Sequence, residues 1–293
     1  MILGGMASGV TEVEGLLEGD DVLATGRAVE AFGAKVEQPT PASWRIEPTG
    51  YTASDFHIEP DASAATYLWG AEVLTKGQID IGTPSDAFTQ PDAKAYDVIA
   101  QFPNMPAVID GSQMQDAIPT IAVLAAFNET PVRFVGIENL RVKECDRIRA
   151  VSTGLNNIRE GLAKEEGDDL LVASDPSLAG QSLPAEIDTF ADHRIAMSFS
   201  LAGLKIRDIT ILDPACVGKT YPGYWDALAS LGVDLVSRGD ADPVGDHGVP
   251  GPRGLQPPPG LRPVPQANFI EMNWRSLVWR YERQTGLNRK LYP

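Results

Sequence analysis

Residues 139–158 read NLRVKECDRIRAVSTGLNNI, and in this stretch a charged loop runs directly into a predicted helix. Apolar residues recur at spacings of three and four, which predicts an amphipathic helix; they are Ile148, Val151, Leu155, Ile158 and Leu162. Arg141, Lys143 and Arg147 surround Glu144 at the start of this pattern. Free N–H groups and the dipole at a helix start favour anions, so we expect an anionic ligand here. An exposed first turn with ordinary ion pairs is the alternative.

The chain as a whole is acidic, with a net charge of −16 over 293 residues. A local group of cations in such a chain can still attract an anion, because attraction is several-fold stronger in a partly closed cleft than in bulk water. The acidic balance argues against nucleic acid as a partner, since nucleic-acid binding needs phosphate-neutralising cations. We therefore expect a small, multiply charged anionic ligand.

A second charged loop, Asp192-His193-Arg194, precedes the apolar run 195–202, which predicts a largely buried helix. Asp192 fits a helix N-cap. Arg194 then lies in the first turn, where a cation is unfavourable against the helix dipole, and this position predicts contact with an anion. His193 is interpreted as a satisfied, partly buried histidine. A metal site is not predicted, because the three histidines of the chain have no paired spacing.

A third charged loop, residues 213–222, follows the strand-like residues 209–212 and carries Lys219. A helix pattern starting at Tyr224 comes next and ends at Gly232. The triplet 218–220 is Gly-Lys-Thr, as at the end of a phosphate-binding loop, but the upstream glycine of such a loop is replaced by aspartate. A nucleotide-binding loop is therefore rejected, and Lys219 is predicted to lie where a strand ends and a helix begins.

These loops recur in a similar context, which predicts a degenerate internal repeat of strand, loop, helix and strand. Residues 31–36 and 230–235 are similar endings of two helices, each with a glycine stop. The first of these helices is predicted over 22–32, and Asp20 and Asp21 before it are interpreted as helix caps. Converging helix N-termini from several units would form one anion-binding pocket.

At this level of detail the chain resembles a known family, the enolpyruvylshikimate-phosphate synthases (3-phosphoshikimate 1-carboxyvinyltransferases). The resemblance covers residue 1 to about 236 and is carried by five segments in the family's order, namely 61–67, 115–120, 141–147, 192–197 and 219–222. It implies an α/β fold of repeated inverted α/β units, with helices inside and mixed sheets outside.

The resemblance also implies a reaction, the transfer of the enolpyruvyl group from phosphoenolpyruvate to the 5-hydroxyl of shikimate 3-phosphate, with release of phosphate. This reaction belongs to chorismate and aromatic amino-acid biosynthesis and needs no cofactor and no metal. The implied catalytic residues are Glu144 for proton transfer at carbon and Asp116 for the attacking hydroxyl. The implied phosphoenolpyruvate ligands are Arg147, Arg194 and Lys219. The implied shikimate 3-phosphate ligands are Asn139, Lys143 and Asp116.

The chain departs from the family in two places. The family's opening glycine–lysine–serine segment would precede Ile2, and its asparagine–serine–glycine–threonine loop and glutamine–serine-rich segment should lie near 48–51. We therefore expect a truncated chain with an internal deletion: 1–50 as a remnant of the first-half domain and 51–236 as a mostly complete enolpyruvyl transferase domain. Loss of half the cleft predicts strongly reduced turnover. The alternatives are an inactive family member that binds only anions or a partner, and a UDP-amino-sugar enolpyruvyl transferase, which would lack the 141–144 and 192–194 motifs.

Residues 237–293 are predicted to be an irregular tail, since nine of the 23 prolines fall there. A poorly packed extension is favoured over a short helix for residues 268–284.

The remaining sequence features predict a cytoplasmic protein, and a monomer is our expectation. No run of about 18 apolar residues is present, so no membrane span is expected, and no basic region precedes the apolar start, so no signal peptide is expected. Cys145 and Cys216 argue against a disulfide framework and for a reducing compartment. Both are interpreted as small residues, with reactivity toward oxidants left open.

Overall fold

The computed structural model describes residues 1–16, 20–238 and 269–273. The helices are α1 (Ile2–Gly5), α2 (Asp20–Ala31), α3 (Ala62–Thr75), α4 (Ala95–Ile99), α5 (Ile118–Ala125), α6 (Arg147–Ile158), α7 (His193–Ala202) and α8 (Tyr224–Ser230). The strands are β1 (Thr11–Glu14), β2 (Val36–Thr40), β3 (Ser43–Ile46), β4 (Val108–Asp110), β5 (Val132–Val135), β6 (Ala163–Glu166), β7 (Asp169–Val172), β8 (Ser182–Ile187), β9 (Arg207–Leu212), β10 (Asp234–Arg238) and β11 (Phe269–Asn273). The predicted α/β class is confirmed.

One arrangement of strands recurs three times in the described part of the chain. In the unit β5–α6–β6–β7, strand β7 lies between β5 and β6 and is antiparallel to both. The unit β9–α8–β10–β11 has the same order, with β11 between β9 and β10, and so does β1–α2–β2–β3. The predicted repeat of strand, loop, helix and strand is therefore present, with a further antiparallel strand completing each unit.

The second and third sheets carry an additional parallel strand. Strand β4 is parallel to β5, and β8 is parallel to β9, which makes both sheets mixed, as expected. A helix follows each of these strands, α5 after β4 and α7 after β8. Because the carboxyl ends of parallel strands meet at one edge of a sheet, the loops after β4 and β5 lie together, and so do those after β8 and β9.

Residues 237–293 are interpreted from the sequence as an irregular tail, but 269–273 form strand β11, so this interpretation is wrong for these five residues. The alternative of a short helix over 268–284 is wrong at the same residues. The backbone of Ile270 is paired with Ile211 on one side and Ser237 on the other. The physical reason is the repeat itself, since β9 and β10 need a strand between them to pair their facing N–H and C=O groups. The rest of that tail prediction lies outside the described residues.

The main core is built around three helices that are buried on nearly every side. All eight residues of α5 are buried, and in α7 only Arg194 is not fully buried, as predicted for 195–202. Helix α3 packs against both. The core runs from Ala64 to Val233, and none of its described members belongs to 1–50. Trp44 and Ile46 are buried separately, Trp44 next to Gly26 of α2 and Ile46 next to Gly4 of α1. The division into 1–50 and 51–236 stays a prediction.

Candidate functional site

Four loops meet where strands end and helices begin, and each carries a charged residue singled out from the sequence. Asp116 lies on a 3-10 turn, Gln115–Ala117, between β4 and α5. Glu144 lies between β5 and α6, and Arg147 is the first residue of α6. Arg194 is the second residue of α7, and Lys219 ends the 3-10 segment Pro214–Lys219 before α8. At the equivalent place in the first unit, α2 begins with Asp20 and Asp21, so they open this helix instead of preceding it as caps; their side chains lie outside the described residues.

Arg147 is at the centre of the charged cluster and is only 1% exposed. Its Nε donates to Asp192 Oδ2 at 2.7 Å, its Nη1 to Asp116 Oδ1 at 2.8 Å, and its Nη2 to Glu144 Oε2 at 2.5 Å. A buried guanidinium is tolerated only when its N–H groups are paired, and here three carboxylates pair them. Arg147 thereby joins three of the four loops.

Arg194 is the second buried cation of the cluster. Its Nη2 lies 2.9 Å from Asp116 Oδ2, and its side chain is 12% exposed. Its backbone N–H donates to the N-cap Asp192 at 2.8 Å, as predicted. Its Nε is buried and has no hydrogen-bond partner within the described residues. Arg194 therefore has a guanidinium nitrogen without a partner among these residues, whereas each guanidinium nitrogen of Arg147 has one.

Two lysines complete the cluster on its solvent side. Lys143 Nζ lies 3.4 Å from Asp116 Oδ1, and Lys219 Nζ contacts Glu144 Oε1; the lysine side chains are 36% and 56% exposed. The contacts therefore join four cations to three carboxylates, an excess of one positive charge in a chain of net charge −16. An anion can reach the lysines without any rearrangement of the buried residues.

The cations hold both candidate catalytic carboxylates in the ionised form. Burial opposes ionisation of Asp116, but the charges of Arg194, Arg147 and Lys143 outweigh it and lower its pKa. Burial likewise opposes ionisation of Glu144, yet the hydrogen bond from Lys219 and the charge of Arg147 lower its pKa to about 2. Neither group can donate a proton at neutral pH in this arrangement.

His193 differs from its predicted state. It is buried, and neither ring nitrogen has a hydrogen-bond partner among the described residues, so the interpretation as a satisfied, partly buried histidine is wrong. Its Nδ1 is 3.7 Å from Asp192 Oδ1. Burial and the adjacent charge of Arg194 lower its pKa, which keeps the ring neutral. Whether a buried imidazole finds hydrogen-bond partners depends on the residues packed around it, which sequence patterns do not resolve.

Two residues of the 139–147 segment lie apart from the cluster. Arg141 binds Glu165 at 2.6 Å, Asp146 at 3.0 Å and Asp168 at 3.1 Å, so it ties the loop before α6 to the β6–β7 hairpin instead of surrounding Glu144. Asn139 is exposed on the 3-10 segment Glu138–Val142 and makes none of the side-chain contacts described for the cluster. The structure thus brings together Asp116, Lys143, Glu144, Arg147, Arg194 and Lys219.

Asp192 is a site residue that the sequence indicated only as a helix cap. It is fully buried, and besides capping α7 it accepts from Arg147 Nε and lies 3.5 Å from Cys145 Sγ. The available signal was the Arg194 that follows it, since an arginine in a first turn implies nearby carboxylates as well as an anion.

The cysteines do not add reactive thiolates to the site. Burial and the charge of Asp192 raise the pKa of Cys145 to about 12, and burial raises the pKa of Cys216 to about 11. The thiolate is the reactive form, so both thiols are poor nucleophiles at neutral pH.

Within residues 1–16, 20–238 and 269–273, no group of three or more histidine, cysteine, aspartate and glutamate side chains is arranged to hold a metal ion. No helix there is long and apolar enough to cross a membrane.

Comparison with known proteins gives consistent results. Residues 1–228 match the family model described as EPSP synthase (3-phosphoshikimate 1-carboxyvinyltransferase). The chain is 74% identical over 233 residues to the 3-phosphoshikimate 1-carboxyvinyltransferase of Rhizobium etli strain CIAT 652, covering 78% of this chain and 56% of that protein. It is 67% identical over 233 residues to the protein of the same name from Pseudomonas savastanoi, with the same two coverages. The chain thus spans about half the length of the curated relatives it matches.

Two solved structures share the fold. An EPSP synthase from Acinetobacter baumannii superposes with a TM-score of 0.60 at 21% identity, covering 78% of this chain and 58% of that one. The enolpyruvyl transferase NikO from Streptomyces tendae gives a TM-score of 0.57 at 18% identity, covering 79% and 57%. At these identities the likeness concerns the fold alone, and it agrees with the α/β units described above.

Proposed function

This chain belongs to the EPSP synthase family, and from that premise we propose that it transfers the enolpyruvyl group of phosphoenolpyruvate to the 5-hydroxyl of shikimate 3-phosphate. The proposal rests on one observation: two candidate proton carriers, Asp116 and Glu144, form ion pairs with four cations. These cations are Lys143, Arg147, Arg194 and Lys219. Each substrate carries a phosphate and a carboxylate, so the pair must be held together against mutual repulsion.

Roles in binding follow from which cations an anion can reach. Arg194 and Lys219 are proposed to bind phosphoenolpyruvate, because the Arg194 guanidinium forms an ion pair with only one carboxylate of the described residues, Asp116, and the Lys219 side chain is largely exposed. Lys143 is proposed to bind shikimate 3-phosphate, with Asn139 nearby on the same loop. Arg147 is proposed to contact phosphoenolpyruvate as well. Its N–H groups donate to three carboxylates, so one of these hydrogen bonds must first break to free a donor for the ligand.

Competition between ligand and carboxylates gives Glu144 a way to carry a proton. Arg147 and Lys219 are the cations that lower its pKa to about 2. An anion that attracts these two side chains weakens their hold on Glu144, and its pKa rises toward the ordinary value. The carboxyl then takes up a proton, which it can deliver to C3 of phosphoenolpyruvate while the 5-hydroxyl adds to C2. Phosphate then leaves C2 and a proton returns from C3 to the Glu144 carboxylate, which restores the enolpyruvyl double bond. Asp116, held by Arg147 and Arg194, accepts the proton of the attacking hydroxyl.

A second function, anion binding without turnover, is favoured by one specific observation. In this structure both buried arginines are held by carboxylates of the chain itself, and Lys143 and Lys219 are partly or largely exposed, where each ion contact is weakened by solvent. With the family's intervening segments absent near residues 48–51, we expect low turnover. We also expect the chain to act as a cytoplasmic monomer.

The test is phosphate release from phosphoenolpyruvate plus shikimate 3-phosphate by the purified chain. Glu144→Gln and Arg194→Ala are each expected to lower the rate by about 100-fold or more, the usual contribution of a proton carrier or a charge-stabilising group. Arg149→Ala is the matched control, since Arg149 is 70% exposed and lies two residues after Arg147 on α6. Its rate should equal that of the unaltered chain.

The outcomes separate the two functions. Phosphate release that depends on Glu144 and Arg194 supports the transferase. A folded chain that binds phosphoenolpyruvate but releases no phosphate contradicts it and supports the anion-binding protein.

A further inference from the structure

Arg194 differs from the other buried cation in how little of its charge is neutralised. Arg147 has three carboxylate partners, whereas Arg194 forms one ion pair, with Asp116, which it shares with Arg147 and Lys143; the charge of Asp92 adds a further attraction. Its side chain is nevertheless only 12% exposed. A buried guanidinium with unpaired N–H groups is costly, so another group near it is expected to accept a hydrogen bond.

The group beside Arg194 is the phenol of Tyr67 on α3. Tyr67 is 1% exposed, and its hydroxyl lies next to the Arg194 guanidinium. In this structure, the Tyr67 hydroxyl and Arg194 Nε have no hydrogen-bond partner of ordinary geometry among the described residues. Arg194 Nε–H can only donate and the Tyr67 hydroxyl oxygen can accept, so a small movement of the guanidinium would form a hydrogen bond between them.

The Tyr67 ring is held by its surroundings, so its hydroxyl has a defined position. Its edge packs on Tyr224, with ring centroids 5.8 Å apart. Tyr224 is itself fixed to α7, because its hydroxyl lies 2.7 Å from Ser200 Oγ. Burial raises the pKa of Tyr67 well above its ordinary value, which keeps the phenol neutral.

We propose that Tyr67 is a positioning residue that holds the Arg194 guanidinium toward the anion site by accepting its hydrogen bond while leaving its positive charge intact. A carboxylate in the same place would hold the side chain equally well but would neutralise it, as Asp192 does for Arg147. A neutral acceptor keeps the charge available to a phosphate or carboxylate. The inference deepens the proposed function and rests on it for the identity of the ligand.

The test compares Tyr67→Phe with Tyr224→Phe in the full chain. Both tyrosines are buried and in contact, but only Tyr67 faces Arg194, while the Tyr224 hydroxyl meets Ser200. Calorimetric titration with phosphoenolpyruvate is expected to give a Kd about tenfold weaker for Tyr67→Phe, the effect of one lost hydrogen bond to a charged group. Tyr224→Phe is expected to lower the melting temperature and leave the Kd unchanged. Equal affinities of Tyr67→Phe and the unaltered chain would overturn the inference.

A second measurement distinguishes failure of this inference from failure of the proposed function. If the unaltered chain does not bind phosphoenolpyruvate, the proposed function is wrong, and the solvent exchange of Arg194 Nε–H, followed by NMR, decides the role of Tyr67. Faster exchange in Tyr67→Phe but not in Tyr224→Phe supports positioning of the guanidinium. Identical exchange in all three proteins excludes it.

Discussion

Glu144 is held as a carboxylate by Arg147 and Lys219, and this sets how the protein responds to acid. Its pKa of about 2 in the folded chain is below that of an unfolded chain, so ionised Glu144 stabilises the fold above the unfolded value of 4.5. That stabilisation is lost as the pH falls from 4.5 through 2. The unaltered chain should therefore exceed the Glu144→Gln variant in free energy of unfolding by more at pH 6 than at pH 2.5.

The measurement is urea unfolding at both pH values. Glu138→Gln serves as the control, because Glu138 is exposed in the preceding segment and has none of the ion pairs described for the cluster. A deficit of Glu144→Gln that is the same size at pH 6 and pH 2.5 would show that the cations do not hold this carboxylate.

Single residues differ in how far the sequence could define their roles. Asp116, Glu144 and Arg194 are proposed as site residues because the family resemblance marks each of them, and the structure places them in one cluster. Arg141 could not be separated from the cluster, since its partners Glu165 and Asp168 come from a hairpin 24 and 27 residues away. Ion pairs between a loop and a hairpin distant in sequence depend on how the two pack in the folded chain. The local sequence around Arg141 does not predict that packing.

At the scale of elements, helices α6 and α7 approach closely because Gly154 has no side chain. A Cβ at Gly154 would lie 2.4 Å from Phe199 Cζ, which is buried in α7. Gly154→Ala gains about 1 kcal/mol of helix propensity but forces the two helices apart, and overpacking of this kind costs about 1–3 kcal/mol. We expect a net loss of stability, and a weaker affinity for phosphoenolpyruvate because these helices carry Arg147 and Arg194.

Thr153→Ala is the control for propensity, since Thr153 is exposed on the same helix and its replacement should be neutral or stabilising. Unfolding in urea measures both variants. A Gly154→Ala chain that is more stable than the unaltered chain would mean that the space beside Phe199 can open without cost.

The repeat shows which elements could be predicted. Helices α6 and α7 follow from apolar periodicity and an N-cap, both local signals. Strand β11 could not be predicted from local signals, because 30 residues, 239–268, separate it from β10, and the region is rich in proline and glycine. Only the strand order shared by the three units shows that a strand is needed between β9 and β10.

At the scale of the whole molecule, β11 is predicted to be necessary for stability. Glu271 is paired with Thr210 on one side and Val236 on the other, so β11 is a central strand. Proline cannot donate to a strand ladder and is excluded from central strands. Glu271→Pro should lower the free energy of unfolding by more than about 1 kcal/mol, at least one lost backbone hydrogen bond. Glu271→Thr, which keeps the N–H, should be neutral in urea unfolding, and identical midpoints for the two variants would exclude a central strand here.

The position of β11 also dictates the order in which the molecule can form during synthesis. Strands β9 and β10 leave the ribosome first, together with α8, and residues 269–273 follow only after 30 further residues have been translated. Translation at about 5–20 residues per second makes this interval several seconds at the slow end. Throughout it, the backbone groups that β9 and β10 will offer to β11 are open, so the nascent chain exposes a strand-binding gap that molecular chaperones or a neighbouring nascent chain can occupy.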